Sequence, residues 1–98
     1  MRAIVITYTI KTDRWEDALS SLRSVVEQIG RFNGLESWIN TANRQTGKGN
    51  AVAVFDSDVS LAEALPAITK IVNGLGAYMT ATPQVEEGNV LAQINHTG

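Results

Sequence analysis

At 98 residues the chain has room for one domain, and so short a chain leaves a large share of its surface in water when it folds alone. Hydrophobic residues at 44% and charged residues at 18% are ordinary globular proportions, which sets aside disordered and fibrous classes. A net charge of −2 with scattered basic residues leaves no footprint for nucleic acid, and the absence of cysteine excludes disulfides, thiolate chemistry and cysteine-bound metal.

From Ala3 to Ile10 the residues are almost all β-branched or aromatic, so a first strand is expected with Ile4, Ile6, Tyr8 and Ile10 on one face. Ala3, Val5, Thr7 and Thr9 take the other. This opening segment lacks the unbroken apolar stretch and small-residue cleavage site of a signal peptide. No apolar run approaches the ~20 residues of a membrane-spanning helix. The expectation is a cytoplasmic protein with no membrane partner.

Asp13 followed by Glu16 has the form of a capping box, and the stripe Trp15, Ala18, Leu19, Leu22, Val25, Val26 and Ile29 predicts a helix closed by Gly30. Trp15 is read as core. Phe32-Asn33-Gly34 supplies a turn, and Leu35 to Ala42 alternates as a second strand with Leu35, Ser37 and Ile39 opposing Glu36, Trp38 and Asn40. Asn43 to Asn50 is polar and glycine-rich, as a hairpin loop should be, and Ala51 to Phe55 predicts a third, central strand.

Asp56, Ser57, Asp58 and Ser60 offer several caps for a second helical region striped by Leu61, Leu65, Ile68, Ile71 and Val72. A proline inside a helix removes a hydrogen bond and clashes with the preceding turn. The expectation is therefore a short turn up to about Leu65 and a new helix with Pro66 in its first turn, ended by Asn73-Gly74. Ala77 to Thr82 reads as a fourth strand, Glu87-Gly88 as a turn and Val90 to Ile94 as an extra C-terminal strand.

This order predicts one α+β domain over residues 1–98, a ferredoxin-like βαββαβ antiparallel sheet with both helices on one face. The other face is then bare. Ala3 and Val5, with either Val52 and Val54 or Ala51, Ala53 and Phe55, make it apolar, the kind of patch that marks an interface. Burying ~500 Å² of apolar surface on each partner corresponds to roughly 25 kcal/mol before association entropy and polar desolvation are subtracted. The expected partner is a second copy, joined through the open sheet face.

The strand Ala3-Ile-Val-Ile-Thr-Tyr, the helix end Val26-Glu-Gln-Ile29 before Phe32-Asn-Gly34-Leu35, the strand Val52-Ala-Val-Phe55 and the capped segment Asp56-Ser57-Asp58 together resemble the dimeric α/β-barrel superfamily. Within it, the chain resembles the antibiotic-biosynthesis-monooxygenase-like small proteins. The resemblance implies a dimeric barrel and admits cofactor-independent oxygenases, haem-degrading enzymes, isomerases and effector-binding domains. Haem-degrading members use an asparagine of the first strand region with a histidine or tryptophan of the second helix, and this chain has neither there. Strand histidines typical of stress-responsive members are also missing.

The sole histidine, His96, is the third-last residue, where fraying is normal, and a single histidine leaves no paired metal ligands. No metal or cofactor is expected. Asp56-Ser57-Asp58 is better explained by capping than by a calcium loop, since Leu61 stands where the EF-hand needs glycine. Gly47-Lys48-Gly49 lacks the first glycine and the Ser/Thr of a phosphate loop.

What remains is Tyr8, Trp38, Asn40 and Tyr78, with Arg31 beside them, a set that could line a cavity for an apolar or aromatic small molecule. In a cofactor-free oxygenase such groups would orient a phenol and stabilise an enolate-type anion. The plainer reading is that Tyr and Trp pack cores and interfaces. Function is thus expected to be small-molecule binding, monooxygenase-like, or else a non-catalytic ligand-sensing or structural dimer module.

Overall fold

The computed structural model describes residues 1–94. Strands β1 (Arg2–Thr9), β2 (Leu35–Ala42), β3 (Lys48–Phe55) and β4 (Gln84–Asn89) form one sheet in the order β2-β3-β1-β4. All three pairings are antiparallel. Helices α1 (Trp15–Ile29) and α2 (Asp58–Gly74) complete the ferredoxin-like βαββαβ plan. The strands richest in β-branched residues, β1 and β3, take the centre. The polar β2 and β4 take the edges, where Glu36, Gln84 and Glu86 discourage further strand addition.

The register settles which side each residue faces. Ile4 and Trp38 both oppose Ala53, Ile6 and Asn40 oppose Ala51, and Tyr8 opposes Gly49, so these residues share the face under the helices. Phe55, Ile4, Leu61 and Ile68 are fully buried there, and Ile10, Ala18 and Met79 form a second cluster at the end of β1. The bare face carries Ala3, Val5, Val52, Val54 and Ile39. Ala3 and Val54 are 8% exposed and Ile39 is 62% exposed.

Several local expectations are corrected. A register shift between Leu35 and Ser37 bulges β2 at Glu36, so Leu35 joins Trp38 on the core side instead of opposing it. Asp13 does not cap α1. Backbone bonds of 2.8 Å from Ile10 N–H to Gly47 O and from Lys11 N–H to Tyr78 O pin the end of β1, and a 3₁₀ turn, Thr12–Arg14, leads into the helix without a side-chain cap. Trp15 is half-buried, with the Arg44 guanidinium 5.9 Å from its ring centre. β3 begins at Lys48, so Lys48, Gly49 and Asn50 belong to the strand and not to the loop.

Helix α2 runs unbroken through Pro66. Ser57 caps it, its Oγ accepting from Ser60 N–H at 3.2 Å. Breaking the helix would take Ile68 and Val72 out of phase with Leu61 and Ala64, four residues that all bury against the sheet. Ala62 and Pro66 lie on the exposed side, so the carbonyl that loses its partner faces water. The fourth strand is Gln84–Asn89, not Ala77 to Thr82. Gly76–Tyr78 is a 3₁₀ turn, and Met79 makes only an isolated bridge to Ile10.

Val90 to Ile94 is not a strand, although Val90 N–H reaches Met1 O at 3.2 Å, and Leu91 is 96% exposed. One side of β1 is already taken by Glu87-Gly88, the dipeptide read as a turn. His96 lies outside the described residues. Among the described residues no helix is long and apolar enough to cross a membrane.

Candidate functional site

The candidate site begins with three small residues. Gly49, Ala51 and Ala53 are the helix-facing positions of β3, flanked by Ile4, Ile6 and Tyr8 on β1 and by Trp38 and Asn40 on β2. Large neighbours beside small ones leave a trough along the middle of the sheet. α1 and α2 roof it with Leu22, Val25, Ile68, Ile71 and Val72. The result is an apolar cavity in which about 30 Å³ is open to the centre of a water molecule, room for one or two waters.

Tyr8 crosses this trough. Its hydroxyl donates to Asn40 Oδ1 at 2.5 Å and lies 3.3 Å from Thr41 O. The ring can do so because Gly49 has no side chain: a Cβ there would stand 2.7 Å from Tyr8 Cε2 and Cζ and 2.6 Å from Thr41 O. Burial raises the pKa of the Tyr8 phenol above its usual value, and the Asn40 bond lowers it only in part. Tyr8 is therefore a neutral group at physiological pH.

With Oδ1 engaged by Tyr8, the Asn40 amide has its NH₂ left to donate. Trp38 Nε1 is buried and has no hydrogen-bond partner among the described residues. Leaving such a donor unpaired costs about 1–3 kcal/mol, which an arriving acceptor would recover. Among the described residues no carboxylate, lysine, arginine or histidine lines this cavity. Almost no polar surface faces the cavity as it stands, so these donors would reach an oxygen atom only once the surrounding side chains part, and the wall offers no strong general base.

Of the sequence-derived set, Tyr8, Trp38 and Asn40 line the inner cavity together. Tyr78 does not. It sits in the 3₁₀ turn after α2, with Arg14 5.0 Å from its ring centre, and lines an open groove between α1 and α2. Arg31 is exposed and lines neither space. Sequence reasoning missed Gly49 as the seat of the Tyr8 ring and Met79 and Pro83 as cavity wall. The small-residue alternation Gly49, Ala51, Ala53 was the available signal. Among the described residues no group of three or more His, Cys, Asp or Glu is placed to hold a metal ion.

No protein-family model and no curated protein matches the chain. Solved structures do. An antibiotic biosynthesis monooxygenase superposes with a TM-score of 0.74 at 15% identity, over 94% of this chain and 100% of that one. SnoaB, a cofactor-independent oxygenase from Streptomyces nogalater, in a mutant form, gives 0.75 at 15% identity over 97% of each chain. A conserved protein from Methanosarcina mazei gives 0.75 at 10% identity over 89% of each. Identities this low speak to backbone architecture alone. The chain has the ferredoxin-like α+β fold seen in antibiotic-biosynthesis-monooxygenase-like proteins.

Proposed function

We propose that this protein is a homodimeric small-molecule-binding protein whose sheet–helix cavity takes a flat aromatic phenol, and that it oxygenates that phenol without a cofactor. The observation that carries the reading is the buried, unpartnered Trp38 indole N–H beside Asn40, whose amide oxygen is already taken by Tyr8. Two N–H donors behind an apolar, water-poor wall suit a phenolate or enolate oxygen once the cavity widens enough to uncover them. The phenol would enter as its phenolate, its proton left to water, and supply its own electrons to dioxygen. One oxygen atom bonds to a ring carbon, the C–H there is broken as the quinone forms, and the other oxygen leaves as water. The protein's part is to desolvate, orient and hold the anion. SnoaB, a cofactor-independent oxygenase, shows that this backbone architecture can carry such chemistry.

A space open to one or two waters must widen to admit such a ligand. Outward displacement of helix α1 would widen it. The helix borders an open groove of about 590 Å³ on its α2 side and one of about 290 Å³ on its β2 side. The dimer forms through the bare face, where Val5, Val52 and Ile39 leave apolar surface in water.

A second reading, a non-catalytic sensing or structural dimer, is favoured by the small cavity and the lack of a base in its wall. Oxygen uptake with a panel of naphthols and tricyclic phenols separates the two. Uptake that falls at least tenfold in Trp38→Phe and Asn40→Leu supports the oxygenase (about 1.4 kcal/mol of lost transition-state stabilisation). Binding without uptake supports the sensor. Sedimentation at micromolar concentration should give a dimer for the natural chain and a monomer for Val52→Lys. A monomeric natural chain would remove the shared interface from the proposal.

A further inference from the structure

The geometry points to a ligand site larger than the inner cavity: the groove between α1 and α2 is its outer half, and the ligand it fits is amphipathic, with an aromatic body and a carboxylate end. This rests on the inner cavity being a ligand site. Val25, Ile71 and Leu75 line both spaces, so the two are separated only by the thickness of these side chains. Beyond that neck the wall changes character. Inside, the polar groups are Tyr8, Trp38 and Asn40. Outside, Ser21, Ser24, Gln28 and the Tyr78 ring surround the groove, and Lys70 is its only charged side chain among the described residues.

In a chain of net charge −2 whose only basic residue after Asn50 is Lys70, a groove lined by that lysine and no carboxylate is a local positive site. The α1–β2 groove also meets the inner cavity, at Tyr8, Leu22 and Asn40, and it too carries a cation, Arg23. There, however, the Tyr8–Asn40 hydrogen bond closes the neck. The α1–α2 side is held by apolar contacts alone and is about twice as large. A ligand entering between the helices leaves its polar end beside Lys70.

The test uses 2-naphthol and 6-hydroxy-2-naphthoate, a flat phenol without and with a carboxylate at its far end, titrated by calorimetry into the full chain. The carboxylate should bind about three- to fivefold tighter, as an exposed ion pair allows, and raising salt from about 0.02 M to about 0.5 M should erase the preference. Lys70→Met should abolish it with naphthol binding unchanged. Gln28→Glu, also an exposed position, should weaken it, because the new carboxylate offsets the Lys70 charge.

Naphthol binding with no carboxylate preference would overturn the outer half and leave the inner cavity standing. A preference lost in Arg23→Gln and kept in Lys70→Met would place the polar end on the other flank, and the proposal would be wrong. Binding of neither probe would remove the inner site and this extension together.

Discussion

Replacing Gly49 by alanine tests the packing on which the site depends. The added Cβ would stand 2.6 Å from Thr41 O, a backbone atom, and 2.7 Å from two atoms of the Tyr8 ring. The strand pairing holds the carbonyl, so the ring must swing away and its hydroxyl must leave Asn40 Oδ1. Overpacking of this kind costs about 1–3 kcal/mol, and the lost hydrogen bond adds about 1 kcal/mol. The reduced freedom of the unfolded chain returns less than about 1 kcal/mol.

The net is a loss of about 2 kcal/mol, or roughly 10 °C in melting temperature for a domain of this size. Urea and thermal unfolding followed by circular dichroism measure it. In a Tyr8→Ala background the ring's share should disappear, leaving only the Thr41 clash. A Gly49→Ala protein as stable as the natural one, or an equal penalty in both backgrounds, would refute the placement of Tyr8 over Gly49.

Pro66→Ala should stabilise the protein by about 1–3 kcal/mol, because the exposed interior of α2 regains an N–H for the Ala62 carbonyl. A lower urea midpoint would show that the proline fits the helix better than its chemistry suggests. Tyr8 makes stability fall with alkali. Below the unfolded value of 10.0 both states keep the proton; above it the unfolded chain binds fewer protons, so stability declines until the raised folded value is passed. Melting temperatures measured upward from about pH 9 should fall less steeply in Tyr8→Phe. Parallel curves for the two proteins would contradict the burial of that phenol.

The parts of the fold legible in the sequence are those where local pattern and tertiary burial agree. The alternation of Ile4, Ile6 and Tyr8 places them under the helices, and the spacing of Ala18, Leu22, Val25 and Ile29 lays α1 over the sheet. Tyr8, Trp38 and Asn40 share a face because parity aligns Trp38 with Asn40 on β2 and the register through β3 sets them on the side of Tyr8. Where the reading failed, a non-local pairing decided. Gln84–Asn89 has little strand propensity but completes the free edge of β1, with Val85 turned toward the core. Ala77 to Thr82 looked better and was held in a turn by Lys11 and Ile10.

The Glu36 bulge and the unbroken helix through Pro66 are similar. Each violates a local rule so that Leu35, or Ile68 and Val72, reach the core. Tyr78 was grouped with the others by residue type. The turn that carries it lies on the far side of the Val25–Ile71–Leu75 neck, and no periodicity in the chain reports that.

The most direct measurement is the indole N–H signal of Trp38 in a ¹H–¹⁵N spectrum as 2-naphthol is added, with the second tryptophan, Trp15, as internal reference. An acceptor entering the cavity should pair with Trp38 Nε1 and move its signal downfield in a saturable way, together with the Asn40 side-chain NH₂, while Trp15 stays in place. If the Trp38 signal stays fixed to the solubility limit of naphthol, or if only Trp15 responds, the cavity does not receive a phenol.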